Sequence, residues 1–273
     1  MKRFMDNLGS ALSLTVVVLL LIFLLLPIVV SVAMSFDARP YMAPFPPHEL
    51  SLRWYEKFIT TDYYIRGLKT SIILAIFSAV FSTAIGVSAA LFLNEANIKR
   101  KELLSSFFLS PMIVPGVVIG FSLLLFFSFL GIYDGFVRLI LGHVLITVPY
   151  TIRTTLAGLV GIPKSITEAA LSLGANERQA FWKVTFPLAK TGIVMGAIFA
   201  FIFSFDDVAV SMFLMDPKAY TLPVALVSNM RSEFDLTIAA AAVLLVASTA
   251  VLIFALDRTI GLDRIVGQGV YRG

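Results

Sequence analysis

The sequence contains no cysteine, and its 273 residues include only two histidines, His48 and His143. Without cysteine, neither a disulfide framework nor a thiolate metal site can form. Two histidines so far apart in sequence do not favour a metal site built on histidine. Charged residues are also scarce: they make up 14% of the chain, against about 25% of an average soluble domain. These absences disfavour a disulfide-rich, metal-dependent or ordinary soluble protein.

A G-x-x-x-x-G-K-[ST] motif is also missing, so the chain lacks the usual loop that cradles ATP phosphates. No nucleophile or cluster of metal ligands indicates a membrane-embedded enzyme. We therefore expect no catalytic residue, no metal and no cofactor in this chain. The formal net charge of +4 could suggest a nucleic-acid partner, but membrane topology explains it better, and no nucleic acid is expected.

Long apolar runs are the main feature that is present. Apolar residues make up 59% of the chain, and residues 11–34 carry no charge over 24 positions. About 20 such residues cross the hydrocarbon core as a helix. Lys2 and Arg3 would also suit a signal peptide, but the run exceeds the roughly 7–15 apolar residues of such peptides and no small-x-small site follows. We interpret it as a retained membrane anchor.

Five more apolar stretches follow, near residues 70–93, 104–127, 136–158, 192–213 and 238–256. The sequence thus predicts an all-α polytopic membrane protein with six transmembrane helices, forming one domain over residues 1–273. Basic residues concentrate in cytoplasmic loops, and an N-in and C-in orientation places 13 of the 21 Lys and Arg residues inside. The sharpest sign of this orientation is the cluster Lys99-Arg100-Lys101 in a short loop.

The first outer loop, residues 35–69, is expected to hold an amphipathic helix at the membrane interface. Trp54 would then lie at headgroup depth. The alternative is a docking surface for a partner. Four apolar residues recur there at helical spacing: Leu52, Tyr55, Phe58 and Ile59.

Small residues and prolines mark several of the predicted spans. G-x-x-x-G spacing predicts close packing between helices. Prolines inside spans are expected to be tolerated kinks. The G-x-x-x-G pairs are Gly116 with Gly120 and Gly192 with Gly196, and the prolines are Pro111, Pro115 and Pro149.

The fourth connection, residues 161–187, reads GIPKSITEAALSLGANERQAFWKVTFP and is too patterned for a passive linker. Ser165 and Glu168 fit the N-cap and N3 positions of a capping box. Good helix formers follow, and Gly174 suits the left-handed position after a helix. The pattern predicts a short, rigid helix of about eight residues, roughly 12 Å long.

A second helix is predicted directly after the first. Asn176 and Gln179 repeat the N-cap and N3 pattern. Proline cannot continue the hydrogen-bond ladder of a helix, so the second helix is expected to end where Pro187 interrupts it. Rigid helices of this kind suit a loop that transmits a push from a moving partner.

This loop resembles a known motif. Glu168-Ala169-Ala170, three residues, Gly174, nine residues and then Val184-Thr185-Phe186-Pro187 resemble the EAA loop of binding-protein-dependent ABC importer permeases, with conservative departures at Val184 and Phe186. In that family the short helix is the coupling helix, which sits in a groove of a cytoplasmic ATPase subunit. Glu168 could instead merely cap its own helix. The contact residues implied by the resemblance are Ser165, Glu168, Ala169, Ala170, Leu171 and Gly174.

Two acidic residues, Asp206 and Asp207, lie in the fifth apolar stretch. Intramembrane acids cost roughly 2.5–3.5 kcal/mol each and indicate a functional site. Neighbours on a helix point about 100° apart, so both cannot face one lumen squarely. Our hypothesis is that one lines the path of a cationic solute and the other bonds to an adjacent helix or subunit. The alternative is that both make only interhelical contacts.

Other polar residues of the spans have more ordinary interpretations. His143 is expected to be a hydrogen-bonded packing residue rather than a proton relay. Arg138, near the outer end of the fourth span, is expected to snorkel to the outer interface.

A second resemblance concerns the cargo. The segment SFDDVAVS, with Tyr220, Leu222 and Pro223 after it, resembles the spermidine/putrescine branch of these permeases. The resemblance implies a polyamine solute. Related permeases carry iron, thiamine, phosphonate, sulfate or opines, so these solutes remain alternatives.

Together the resemblances imply the permease subunit of a type I ABC importer in a bacterial cytoplasmic (inner) membrane. Its partners would be two cytoplasmic ATP-binding subunits that hold ATP and Mg, a second permease chain in an expected heterodimer, and an extracytoplasmic solute-binding protein. The alternative from another class is an ion-coupled secondary transporter with Asp206 and Asp207 as its ion site. That alternative leaves the 161–187 loop without a purpose.

Overall fold

The computed structural model describes residues 2–41, 43–95, 101–232 and 235–260. Helices dominate this part of the chain, and its only β-pairing is an isolated bridge between Asp37 and Leu50. The all-α class predicted from the sequence is therefore confirmed. In chain order, the described residues form α1 (Lys2–Ser35), α2 (Arg53–Thr60), α3 (Asp62–Glu95), α4 (Lys101–Leu109), α5 (Gly116–Phe129), α6 (Gly135–Leu159), α7 (Lys164–Ser172), α8 (Glu177–Ala180), α9 (Phe186–Asp206), α10 (Ser211–Leu214), α11 (Leu222–Ser232) and α12 (Thr237–Ile260).

Several helices in the described ranges are long and apolar enough to cross a membrane. Four qualify individually, and a bent pair of helices raises the number to five. In α12 the apolar part is shorter, Thr237–Val251. The count of six crossings therefore stays a prediction. The four individual spans are Leu12–Ser35, Asp62–Asn94, Gly135–Leu159 and Glu177–Asp206.

The predicted third crossing, residues 104–127, is not one straight helix. Its two halves, Glu102–Met112 and Gly116–Phe129, meet at 94°. Pro115 is the N-cap of α5, and a proline disfavours helical backbone in the residue before it. Pro115 therefore starts a helix instead of kinking one, contrary to the prediction. Pro149 does lie inside the uninterrupted helix α6, as expected.

The orientation rests on the sequence alone. Lys99 and Arg100, which belong to the sharpest basic cluster, lie outside the described residues. The same holds for the C-terminal stretch 261–273, which carries Arg264 and Arg272. The N-in and C-in topology therefore stays a prediction.

One compact unit is formed by the described parts of residues 1–62 and 228–273. Its apolar cluster combines Met34, Trp54, Leu236 and Ala240, from the end of α1, from α2 and from the start of α12. The apolar window of α1 has none of its residues buried within the chain. Such a surface is stable where lipid surrounds it, since lipid tails are as apolar as leucine.

The helix predicted in the first outer loop is confirmed as α2, but its buried face differs from the prediction. Trp54 and Phe58 are buried, whereas Leu52 and Ile59 are exposed. A buried indole N–H needs an acceptor, and Trp54 Nε1 donates to the backbone oxygen of Asp37 at 2.7 Å. Trp54 therefore anchors the loop inside this unit, and its location at headgroup depth stays a prediction.

The second unit contains the described parts of residues 63–227, and in it α6 and α9 lie side by side. A Cβ on Gly192 would lie 3.0 Å from the Gly158 Cα, and a Cβ on Gly196 would lie 3.0 Å from the Thr151 Cα. Larger side chains would force the helices apart. The G-x-x-x-G pair of α9 thus forms a close helix contact, as the spacing predicts.

Helix α3 contacts α6 through buried hydroxyl groups. The Ser82 and Thr147 hydroxyls are 2.6 Å apart, and Thr151 Oγ1 donates to the Ser82 backbone oxygen at 2.7 Å. Polar bonds between transmembrane helices contribute about 0.6 kcal/mol on average. Thr147 Oγ1 also bonds to the His143 backbone oxygen at 2.6 Å, so this hydroxyl seam reaches the part of α6 that faces the acidic pair.

Candidate coupling loop and solute path

The first helix of the 161–187 loop begins earlier than the sequence predicts. Pro163 is the N-cap of α7, and no side chain caps this helix. Pro163 has the extended backbone typical of an N-cap, with φ −62° and ψ 133°, and its carbonyl accepts the first hydrogen bond, from Ile166 N at 3.1 Å. Ser165 therefore lies inside the first turn, and the predicted capping box of Ser165 and Glu168 is wrong.

The C-terminal end of α7 agrees with the prediction, which places Gly174 at the left-handed position after the helix. Gly174 has φ +93°, a conformation that glycine adopts without steric cost. Its N–H donates to Leu171 O at 3.0 Å, and Ala175 N–H donates to Ala170 O at 3.1 Å. These two bonds form a Schellman motif, which fixes the direction in which the chain leaves the helix.

The second helix of the loop has the predicted capping box. Gln179 N–H donates to Asn176 Oδ1 at 2.9 Å, and Asn176 N–H donates to Gln179 Oε1 at 3.0 Å. Two orphan donors at the start of α8 are thus satisfied by side chains. The start of this helix is fixed by residues that are close together in sequence, so the sequence pattern is sufficient to predict it.

Pro187 does not end the second helix, contrary to the prediction. The path from Glu177 to Asp206 is continuous, because a π-helical turn, Phe181–Thr185, precedes α9. Phe186 N–H donates to Phe181 O, five residues back. Pro187 then occupies the first turn of α9, where a missing N–H costs little. The second helix of the coupling loop therefore continues, without a break in the helical path, into the helix that carries Asp206.

The loop presents a set of side chains outward. Leu171 and Leu173 are 40% and 89% exposed. The Glu168 side chain is also exposed, and no hydrogen bond or ion pair to it occurs among the described residues. Self-capping by Glu168 is therefore disfavoured. Of the predicted contact residues, Ala170 is half-buried, and the exposed ones are Ser165, Glu168, Ala169, Leu171 and Gly174. Their contact with an ATPase subunit stays a prediction.

Replacing Gly174 by alanine should weaken binding of the ATPase subunit. Nothing lies within 4 Å of the added Cβ, so the cost is the backbone strain of a left-handed L-residue, about 1–2 kcal/mol. Because this strain shifts the free loop toward other backbone conformations, the affinity measured with purified chains should fall about 5- to 30-fold. Gly161→Ala is the matched control, since its Cβ also meets open space and its φ is not positive. Equal losses in both variants would contradict the role of the Gly174 conformation.

The acidic pair lies where α9 ends. Asp206 is the last residue of α9, and Asp207 is extended, with φ −67° and ψ 128°, so the predicted span 192–213 is interrupted. Asp207 Oδ2 accepts the N–H groups of Val210 at 3.1 Å and Ser211 at 2.8 Å. Asp207 thus makes local bonds at the start of α10, and these are not the bond to an adjacent helix or subunit that our hypothesis describes.

Asp206 has different surroundings. Its side chain is exposed, and no hydrogen bond or ion pair to it occurs among the described residues. Phe199 and Phe203, which are 37% and 43% exposed, share its side of α9 because residues i, i+4 and i+7 lie on one face. Tyr150 of α6 stacks on Phe203 with ring centroids 4.0 Å apart. An exposed carboxylate beside aromatic rings suits an organic cation. The described residues contain no group of three His, Asp or Glu side chains that could hold a metal ion.

The predictions for the two other polar residues of the fourth span, His143 and Arg138, differ in how well they agree with the structure. His143 is fully buried, and its ring nitrogens lie 2.8 Å from Ser204 Oγ and 2.9 Å from Ser211 Oγ, so the predicted hydrogen-bonded role is confirmed. Arg138 is only 9% exposed, so the prediction that it snorkels is wrong. Arg138 lies one turn into α6, and the negative charge of Asp216 acts on it there.

Asp216 is a structural residue that the sequence alone does not single out. Its carboxylate accepts N–H groups of Gly135, Lys218 and Ala219 at 2.7–2.8 Å. Burial by itself would raise the pKa of Asp216, but these three donors and the Arg138 charge hold it below its usual value. The Asp-Pro sequence at 216–217 is typical of a turn. The partner Gly135, 81 residues away, has no sequence signal.

Stability should depend on the charge of Asp216. Because its folded pKa is depressed, the carboxylate stabilises the fold above its usual pKa of about 4, and this is lost as pH falls through the lower folded pKa. Asp216→Asn should therefore lower the Tm of the purified protein at pH 7, by roughly 2–4 °C for about 1 kcal/mol, and the difference should shrink below pH 4. Asp134→Asn is a control, because that exposed cap accepts one N–H, at 2.9 Å. A pH-independent Tm difference for Asp216→Asn would contradict this assignment.

Several helices that are long and apolar enough to cross a membrane define a multi-pass membrane protein. The profile of the family described as "Binding-protein-dependent transport system inner membrane component" matches residues 82–261, which is more than half of the chain. The chain therefore belongs to this family of ABC importer permeases. It is a multi-pass protein of the bacterial inner membrane, and it works with a binding protein in an ABC transporter assembly.

Two of the relatives are named for the same solute class. The spermidine/putrescine transport system permease protein PotC of Shigella flexneri is 29% identical over 247 residues, which cover 90% of this chain and 92% of PotC. PotC of Haemophilus influenzae is 32% identical over 210 residues, or 77% of this chain and 81% of PotC. A solved bacterial alginate ABC transporter, in complex with an alginate pentasaccharide-bound periplasmic protein, superposes with a TM-score of 0.72 at 18% identity, covering 93% of this chain and 95% of that one. The last comparison shows a shared fold.

Proposed function

We propose that this chain is a permease subunit of an ATP-driven importer of polyamines such as spermidine or putrescine, delivered by an extracytoplasmic binding protein. Two relatives that match most of the chain are spermidine/putrescine permeases. The solute is a flexible cation with ammonium groups separated by methylene segments. Its path needs negative charge for the ammonium groups and apolar surface for the methylene groups.

The exposed carboxylate of Asp206 is the observation that carries this proposal. An acid that makes no internal bond in a membrane protein costs free energy and is kept for function. Phe199 and Phe203 lie on the same side of α9 and remain partly exposed, so they offer apolar and cation–π contacts. Of the two predicted path residues, we assign solute contact to Asp206 and a structural role to Asp207, whose carboxylate is bonded to backbone N–H groups.

The energy for transport comes from outside this chain in our proposal. Two cytoplasmic ATPase subunits bind ATP and Mg, and each permease chain contributes one coupling loop, residues 161–187 here. The exposed face of α7 enters a groove of the ATPase subunit, and the continuous helical path from Glu177 to Asp206 carries its movement toward the acidic pair. This chain itself catalyses nothing and holds no cofactor.

We further propose that residues 1–273 form one permease domain with six crossings and both termini in the cytoplasm. In this topology the bent pair of α4 and α5 is the third crossing and α12 is the sixth. A second, different permease chain completes the path.

A ligand panel tests the solute. The complex of this chain with its second permease chain, ATPase subunits and binding protein is reconstituted, and ATP hydrolysis is measured with spermidine, putrescine, thiamine, ferric iron, a phosphonate and an opine. We expect stimulation by the polyamines at micromolar concentration and none by the anionic solutes. Stimulation by another member of the panel alone would assign the permease to that solute.

A further inference from the structure

One buried imidazole bridges the two sides of the break at the end of α9. His143 Nδ1 lies 2.8 Å from the hydroxyl of Ser204, in the last turn of α9, and Nε2 lies 2.9 Å from the hydroxyl of Ser211, the first residue of α10. The non-helical residues between α9 and α10, which begin with Asp207, lie between these two contacts. The His143 ring therefore joins the elements before and after the acidic pair.

This bridge is closed off from solvent and solute. The side chains of His143, Ser204 and Ser211 are all fully buried. The acidic group that faces the ring is Asp207, whose Oδ2 lies 3.8 Å from Nε2, too far for a hydrogen bond. Asp207 instead bonds to the Ser211 N–H at 2.8 Å. The imidazole, the Ser211 residue and the Asp207 carboxylate thus form one connected polar unit at the break.

Histidine is well suited to this bridge. A neutral imidazole has one donor and one acceptor nitrogen on opposite sides of a rigid ring, and a serine hydroxyl can serve as either partner. Both tautomers are therefore satisfied. Thr147, one turn further along α6, bonds to the His143 backbone oxygen at 2.6 Å and links this position to the packed hydroxyl seam with α3.

We propose that His143 is a positioning residue for solute passage. By bonding to Ser204 and Ser211 it fixes the angle of the break, and so holds the Asp206 carboxylate on the exposed side while Asp207 stays bonded inside. The imidazole never contacts the solute and acts through the backbone on either side of the acids. The role in transport rests on the function proposed above, whereas the geometry of the bridge does not.

The proposed geometry, in which the His143 bridge fixes the angle of the break, is tested with spin labels. The chain has no cysteine, so Lys190→Cys and Lys218→Cys, two exposed positions on either side of the break, can be labelled specifically before the chain is assembled into the reconstituted complex. Distances are measured by double electron–electron resonance. We expect Ser204→Ala and Ser211→Ala to broaden or shift the distance distribution. Ser35→Ala is the matched control, since it also removes a hydroxyl bond between two helices, to Tyr55 at 2.7 Å, but belongs to the other compact unit, and it should leave the distribution unchanged.

The proposed role of the bridge in transport is tested by measuring the apparent affinity for spermidine separately from the maximal rate of ATP hydrolysis. In the same complex, Ser204→Ala and Ser211→Ala should raise the spermidine concentration for half-maximal ATPase stimulation at least about fivefold with less than about twofold change in the maximal rate. Ser35→Ala should change neither value. An unchanged distance distribution in both bridge variants, or equal effects of Ser35→Ala, would overturn the proposal. A wild-type complex that ignores polyamines would overturn the solute assignment alone, and the label distances would still decide the bridge.

Discussion

Asp206→Asn is expected to raise the half-saturating polyamine concentration for uptake at least tenfold while leaving the complex fully assembled. Asparagine has nearly the same volume as aspartate but no charge, so it removes the attraction for an ammonium group. A tenfold change corresponds to about 1.4 kcal/mol, a modest value for a charge pair in a membrane. The Asp206 carboxylate makes no hydrogen bond among the described residues, so the fold should not depend on it.

Asp207 provides the control for this experiment, because asparagine replaces aspartate as a helix cap with little loss. Asp207→Asn should therefore transport nearly as well as the wild type. Asp207→Ala removes the acceptor for the N–H groups of Val210 and Ser211 and should cost about 1 kcal/mol of stability. Uptake and the yield of assembled complex would be measured for all three variants. A transport defect in Asp207→Asn as large as that in Asp206→Asn would contradict the division of roles.

Glu168→Gln is expected to weaken the affinity for the ATPase subunit on the order of 30-fold, and solute-stimulated ATP hydrolysis should be lost with it. If the exposed carboxylate pairs with a cation in the groove of that subunit, losing it costs about 2 kcal/mol or more, the range for a charge pair buried at an interface. No side chain caps α7, so the substitution should leave the loop intact. The measurement is a binding titration between purified permease complex and ATPase subunit.

Glu177 offers the matched control for Glu168. It is an exposed glutamate of the same loop, in the first turn of α8, and it lies in the nine-residue spacer after Gly174, for which the EAA motif specifies no residue type. Glu177→Gln should change the affinity by less than about twofold, as expected for an exposed charge. Similar losses in both variants would indicate a general effect of loop charge. Unchanged affinity in Glu168→Gln would remove Glu168 from the contact.

The features that the sequence predicts well are those that depend on neighbouring residues. The membrane helices follow from uncharged apolar runs, and the α8 capping box follows from Asn176 and Gln179, three positions apart. The left-handed conformation of Gly174 follows from glycine's lack of a Cβ. The capping box at Ser165 failed although its pattern was correct, because Pro163 starts the helix two residues earlier.

The features that the sequence does not predict depend on residues distant in the chain. Trp54 can be buried because the backbone oxygen of Asp37 accepts its N–H. The spacing of apolar residues along the sequence does not predict this acceptor. Asp216 bonds to the start of α6, 81 residues away. The end of α9 at Asp206 had no clear local signal either, because the apolar run continues on both sides of the acidic pair.

The central claim is that this chain moves a polyamine only when a binding protein delivers it and ATP is hydrolysed by a partner. The direct test is uptake of labelled spermidine into proteoliposomes that contain the assembled complex, with ATP on the side of the ATPase subunits and ion gradients collapsed. We predict uptake that requires both the binding protein and ATP, and that falls with Asp206→Asn. Spermidine uptake by this chain without ATP, driven by an ion gradient, would contradict the account.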